Sequence, residues 1–320
     1  MATLATVDDN QSVWAATAAP VSPLPRLEGE LRADVAIIGL PYGAPYSMAE
    51  VTNDQSNAPA AVRRASARMI QSIARHDFDV GGPILAGRDI RIVDVGDVIA
   101  DPWDMHSHYR RAEQAARILL PKVKMLLSIG GDHGVPIPIF RALELVGPIT
   151  MVHIDAHLDW RPEVNGVREG YSNVFRRASE MPWIEGMYQI GLRGQGSARP
   201  EDVADAIAYG SNLFTSYEVL THGMAPVLAA IPDGRNYYLS IDADGLDPSV
   251  MPAVMAPSPG GLLFHHLRDL IHGLVRKGRL VGMDVVEIAP SRDLNDLTTI
   301  AAGRLFTNAI GAAAHAGHLG

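Results

Sequence analysis

Eight short apolar runs recur along the chain, at residues 35–40, 90–95, 125–129, 149–154, 186–190, 213–217, 237–241 and 280–286. They read as continuous runs, without the in–out alternation of a half-exposed strand. Runs of this kind mark strands buried on both faces, the condition of a parallel sheet. The stretches between them are long enough for helical crossovers, as at 109–120, 138–145, 201–208 and 264–276. Repeated strand–helix–strand units imply an α/β fold whose sheet is covered by helices. The pattern leaves open the strand order and the choice between an open sheet and a closed barrel.

The 320 residues, 47% of them hydrophobic, suit one large domain. Residues 1–30 are small, polar and interrupted by Pro20, Pro23 and Pro25, which predicts a flexible tail or an arm lying on a neighbour, with residues 31–320 forming a single domain. The chain has no cysteine, so disulfides, thiolate zinc sites, iron–sulfur clusters and thiol nucleophiles are excluded. Any metal must therefore sit on His, Asp and Glu. The first basic residue is Arg26, and no apolar run reaches the ~18 residues that span a bilayer, so the chain is expected in the cytoplasm. A net charge of −9 without a dense Lys/Arg block argues against nucleic acid or anionic membrane as partner, and is compatible with a small cationic substrate.

In parallel α/β sheets, ligands bind just beyond the carboxyl ends of the strands. Three such places are rich in potential ligands: Gly130-Gly131-Asp132-His133, Asp155-Ala156-His157-Leu158-Asp159, and Asp242-Ala243-Asp244-Gly245-Leu246-Asp247-Pro248. On an extended strand end, residues two apart project to one side, so Asp155, His157 and Asp159 can converge, as can Asp242 and Asp244. Taken singly, these motifs are compatible with turn and helix-cap chemistry or with an ordinary core histidine. Taken together, four carboxylates and two imidazoles would repel and desolvate one another unless divalent cations neutralised them. The donor set suits Mn²⁺ better than a structural Zn²⁺, and four carboxylates suffice to bridge two ions about 3.5–4 Å apart.

These residues resemble the ureohydrolases, the family of arginase, agmatinase and related guanidino-compound hydrolases. The resemblance is carried by Gly130–His133, Asp155–Asp159 and Ser240–Pro248, which are similar to the GGDH, DAHxD and SxDxDxxDP signatures, and extends from about Asp34 to about Ala314. It includes Pro257-x-Pro259-Gly260-Gly261 and the late strand ending Asp284-Val285-Val286-Glu287. The resemblance implies a three-layer α/β/α fold with an eight-stranded parallel sheet, two divalent metal ions (Mn²⁺, with Ni²⁺ as alternative), and assembly as a trimer or hexamer, alone or with a related second subunit. By the same resemblance, His133, Asp155, Asp159 and Asp242 would hold one ion, and Asp155, His157, Asp242 and Asp244 the other. Asp159 would accept the proton of the attacking water and pass it to the leaving nitrogen, and Glu287 would pair with the guanidinium. The implied reaction is hydrolysis of a guanidino C–N bond to urea and an amine.

The chain departs from the family pattern outside this ligand set. Tyr171 stands where many members carry a proton-shuttling His, and a phenol of reference pKa about 10 is a poor base at neutrality. Ser258 replaces a frequent Glu, and Gly134 replaces the usual Ser or Thr after the first motif. Trp160 and Arg161 follow the second motif, where the substrate's far end should lie; Arg161 either binds a carboxylate there or turns outward into a surface ion pair. Trp160 and Tyr171 are candidates for an aromatic wall against a cationic or zwitterionic guanidino substrate. Asn53, Asp54 and Gln55 are further pocket candidates. Candidate substrates are guanidine, guanidino acids, agmatine, arginine and substituted guanidines or biguanides. A single-ion amide hydrolase and a non-catalytic subunit of a mixed oligomer are the competing readings.

Overall fold

The computed structural model describes residues 5–6, 20–21, 31, 33–43, 46, 54–100, 104–196 and 198–320. All eight predicted strands are present: β1 (Val35–Gly39), β2 (Ile92–Val98), β3 (Met125–Ile129), β4 (Ile149–Ile154), β5 (Ile184–Leu192), β6 (Asn212–Thr215), β7 (Asn236–Asp242) and β8 (Arg279–Val286). They pair in parallel in the order β2-β1-β3-β8-β7-β4-β5-β6, an open sheet. Most of the predicted tail lies outside the described residues. Within it, Ala5–Thr6 and Pro20–Val21 both pair with β2.

Alternate residues of each strand feed two apolar layers. Ile37, Leu127, Leu239 and Met283 pack with α1 (Ala58–Ile70), α8 (Phe264–Lys277) and α9 (Leu297–His315) through Val62, Leu267, Leu270 and Phe306. Ile38, Leu126, Met187 and Tyr238 pack on the other face with α2 (Met105–Leu119), α3 (Ile137–Ala142), α4 (Val174–Ser179) and α5 (Pro200–Tyr209) through Ala112, Phe140, Phe175 and Ala206. Burial on both faces is why the strands read as unbroken apolar runs.

One predicted strand end is corrected. The run expected to continue to Tyr217 stops at Thr215, where α6 (Ser216–His222) begins, followed by α7 (Ala225–Ala230). Thr215 Oγ1 accepts from the Glu218 amide at 3.2 Å, and the Glu218 carboxylate accepts from the Thr215 amide at 2.7 Å, a reciprocal cap that wins over the apolar pattern.

One buried ion pair ties α1 to the sheet. Arg63 donates to both oxygens of Asp94 on β2, at 2.7 and 2.8 Å, and also to Asp97; Arg63 and Asp94 are almost wholly buried. Arg63→Met is expected to destabilise the fold by about 3–5 kcal/mol, because Asp94 is left as a buried charge without its partner. A urea-unfolding midpoint checks this, and Arg63→Met with Asp94→Leu should recover part of the loss.

Candidate metal centre

The three ligand-rich segments leave β3, β4 and β7, which lie with β8 at the middle of the sheet. His133 follows β3 through Gly130 and Gly131. A side chain at Gly131 would come within 1.7 Å of the Tyr42 carbonyl, which accepts from the Asp132 amide at 2.9 Å, so only glycine permits this close crossing. Gly134 has an equally local reason. Tyr109 donates its hydroxyl to the Glu169 carbonyl at 2.8 Å, and that hydroxyl lies 2.4 Å from where a Gly134 Cβ would stand, leaving no room for the Ser or Thr that the resemblance implies.

Asp155 is at the centre of the cluster. Its Oδ2 lies 3.2 Å from His133 Nδ1, and its Oδ1 lies 3.2 Å from His157 Nδ1, so one carboxylate faces both imidazoles. His133 Nδ1 also approaches Asp242 at 3.1 Å and Asp159 at 3.4 Å, while His157 Nδ1 approaches Asp244 at 3.2 Å. The four aspartates are buried. Burial first, then the neighbouring carboxylates, push Asp159, Asp242 and Asp244 above the ordinary carboxylate range. Asp155 runs the other way: against the penalty of burial, hydrogen bonds from His133, His153 and His157 hold it well below that range. His157, opposed by burial but bonded to Asp155 and Asp244, is raised to about 12. Protons are thus drawn in to balance the anionic cluster, as expected of donors shaped for multivalent cations.

Asp159 and Glu287 share a conformational feature. Their φ angles are +52° and +64°, in the left-handed region that residues other than glycine seldom enter. Such strain, about 1–3 kcal/mol per residue, collects at functional sites. Glu287 accepts from the His133 amide at 2.8 Å and from Gln55 Nε2 at 2.6 Å, and burial pushes its carboxyl up to about 7.

Beneath the cluster, a row of buried polar residues crosses five strands. Register places Gln189 beside His153, His153 beside Ser240, Ser240 beside Asp284, and Asp284 beside Ser128. Ser240 Oγ donates to Asp284 at 2.7 Å and lies 3.1 Å from His133 Nε2, so Nε2–H donates to the serine and Nδ1, which faces the aspartates, is the atom that would bind a cation in place of its proton. Gln189 Nε2 lies 3.1 Å from His153 Nδ1, and His153 Nε2 lies 2.9 Å from Asp155 Oδ2. His153 is also near enough to join a ligand group with His133, Asp155 and Asp159, but both of its nitrogens are already engaged. It orients Asp155, with its ring stacked on Phe175 at 3.6 Å.

A cavity of about 380 Å³ opens above the cluster. His133, His157, Asp159, Asp242 and Asp244 line it, as do the predicted Trp160, Arg161, Tyr171 and Glu287, and also Gln55, Asp202 and Met255. Asp155 lies behind this lining, fully buried. Tyr171 packs edge-on against Tyr46 with centroids 4.5 Å apart, and burial, then Glu287, raises its phenol to about 12. Trp160 is buried against Tyr209, centroids 5.7 Å apart. Ser258 is not among the lining residues; its carbonyl accepts from Arg193 Nη2 at 2.6 Å. Asp54 caps a turn by accepting from Asn57 and from the Ser291 amide, and Asn53 lies outside the described residues.

His153, Gln189, Asp202 and Tyr46 escaped the sequence reading. His153 carried a signal, because it extends the Asp155, His157, Asp159 alternation backwards by two residues. The others reach the site only through tertiary packing.

A sequence profile described as the Arginase family matches residues 33–311. A guanidinopropionase from Pseudomonas aeruginosa is 32% identical over 289 residues, 87% of this chain and 86% of that protein. An agmatinase from Neisseria meningitidis is 32% identical over 288 residues, 87% of each chain. Among solved structures, the proclavaminate amidino hydrolase from Streptomyces clavuligerus matches with a TM-score of 0.77 at 29% identity, over 93% of this chain and 100% of that one. The chain belongs to the arginase family. It is a hydrolase of C–N bonds in linear amidines, and its two His/Asp groups fit a binuclear divalent-metal centre. Among the described residues no helix is long and apolar enough to cross a membrane.

Proposed function

We propose that the chain hydrolyses a small guanidino compound to urea and an amine, with His133, Asp155, Asp159 and Asp242 holding one divalent ion and Asp155, His157, Asp242 and Asp244 the other. The observation that carries this reading is Asp155, whose two oxygens each approach the Nδ1 of a different imidazole within one buried carboxylate cluster. When bound, two cations held by these residues would neutralise the carboxylates and lower the pKa of a nearby water towards neutrality. Mn²⁺ is the preferred ion and Ni²⁺ the alternative, since both accept imidazole and carboxylate.

The remaining work falls to side chains. Glu287, backed by Gln55 and the His133 amide, pairs with the substrate guanidinium and holds its carbon towards the cluster. Asp159 takes the proton released as the C–O bond forms and returns it to the nitrogen that leaves as the C–N bond breaks. Tyr171 keeps its proton and acts as a hydroxyl donor on the cavity wall, in place of a shuttling imidazole. Trp160 closes the same wall. The enzyme works in the cytoplasm, and a trimer or hexamer is the assembly that the family likeness implies.

The test is elemental analysis together with urea detection. Protein loaded with Mn²⁺ or Ni²⁺ is expected to carry two ions per chain and to release urea from at least one of guanidine, guanidinoacetate, guanidinopropionate, guanidinobutyrate, agmatine, arginine or a biguanide. Two ions without urea from any of them would favour a non-catalytic subunit, and one ion with amide cleavage would favour the single-metal alternative.

A further inference from the structure

The cavity lining also carries a cation. Arg161 lines the cavity with a side chain that is 40% exposed, and its nearest carboxylate, Asp202, lies 3.9 Å from Nε, beyond hydrogen-bond range. Asp202 is already committed: it accepts from Arg199 Nε at 2.9 Å, from Arg199 Nη2 at 2.6 Å and from the Arg199 amide at 3.1 Å. Arg199 also approaches Glu201, at 3.3 Å, so the carboxylates around Arg161 are engaged with another guanidinium, and Arg161 has no hydrogen-bonded counter-charge among the described residues. Arg161 Nε is buried and donates to nothing among the described residues, and neither does the buried Nε1 of its neighbour Trp160. Buried donors without acceptors are rare, and these two belong to adjacent residues lining one cavity.

The backbone beneath Arg161 is fixed. Its amide donates to the Ser172 carbonyl at 2.9 Å, and its carbonyl accepts from Asn173 Nδ2 at 2.8 Å, which ties it to the turn that carries Tyr171. The cavity lining therefore combines the buried carboxylates of the cluster with a half-exposed guanidinium that is held at its backbone and lacks a hydrogen-bonded acid. A guanidino amine would bring a second positive charge towards Arg161. A guanidino acid would bring a planar acceptor that a guanidinium fork can bind with two hydrogen bonds.

Given the urea-forming reading above, on which this step rests, we infer that Arg161 binds the carboxylate of the substrate and selects ω-guanidino acids over guanidino amines. The relatives of this chain include proteins named for guanidinopropionate and guanidinobutyrate as well as for agmatine, so family membership leaves the choice open.

The experiment compares 4-guanidinobutyrate, agmatine and uncharged butylguanidine on metal-loaded wild type, Arg161→Gln and Arg161→Glu. Wild type is expected to prefer the acid. Arg161→Gln should raise KM for the acid about tenfold to a hundredfold, the scale of one lost charge-assisted hydrogen bond, with kcat little changed and butylguanidine unaffected. Arg161→Glu should reverse the preference towards agmatine. The inference is overturned if wild type prefers agmatine or butylguanidine, or if Arg161→Gln slows all three substrates equally; in both cases urea still forms and the reading beneath it stands. Absence of urea from every guanidino compound by the two-ion protein would overturn that reading and this inference together.

Discussion

Asp155→Asn is expected to lower urea release on the order of 10⁴-fold, the scale observed when a group on which several others depend is removed. The substitution preserves shape and changes charge. Asp155 presents one oxygen to His133 and the other to His157, so both proposed ion sites draw on it. An amide in its place offers one oxygen and two N–H donors, and the donors oppose any cation shared between the imidazoles. Elemental analysis should find fewer than two ions per chain. The stability readout separates this from simple misfolding. Metal-free Asp155→Asn gives up an acceptor that His133, His153 and His157 share, so it should melt below metal-free wild type while still unfolding in one cooperative transition. Added Mn²⁺ should raise the wild-type midpoint and leave the variant's nearly unmoved, because ligand binding stabilises only a protein that binds it. Two ions per chain and near-normal turnover in the variant would remove Asp155 from the centre.

Glu287→Gln is expected to lower kcat/KM for any guanidino substrate about 10²–10³-fold while leaving the metal count at two per chain. Glu287 has one oxygen bound by the His133 amide and the other bound by Gln55 Nε2, so both are oriented before substrate arrives. A glutamine can keep only one of these contacts, since its amide nitrogen would face a donor. The guanidinium then loses its opposite charge in a desolvated site. Urea-release kinetics and metal content, measured on one preparation, check the two halves of this expectation. Loss of metal would instead make Glu287 a support for His133, and unchanged kinetics would detach it from the substrate.

The architecture was legible because burial on both faces writes itself into composition: β1, β3, β4 and β7 could be read off as apolar runs, and their carboxyl ends located the chemistry. The ligand aspartates and histidines were legible because they sit two residues apart on segments that leave neighbouring strands. What stayed hidden was whatever tertiary packing supplies. Gln55 lies 232 residues from the Glu287 it supports, and nothing local in either segment announces the pairing. Ser258 looked like a pocket residue by position in its motif, yet Arg193 gathers its carbonyl together with those of Asp244 and Gly245, fixing the loop from behind. Arg161 could be read as either a pocket cation or a surface ion pair, and the commitment of Asp202 to Arg199 is what bears on that choice.

The row from Gln189 through His153, Ser240 and Asp284 to Ser128 also acts on assembly of the chain. Side chains alternate between the two layers, so sliding any one of these strands by a single position would turn its member of the row into the oily layer under α1, α8 and α9, with no partner there. The groups that aim His133 and Asp155 therefore work as alignment pins for the central strands. A sheet zipped in the wrong frame is penalised by the same side chains that orient the ligands, so attaining the native frame and readying the centre for its ions become a single event.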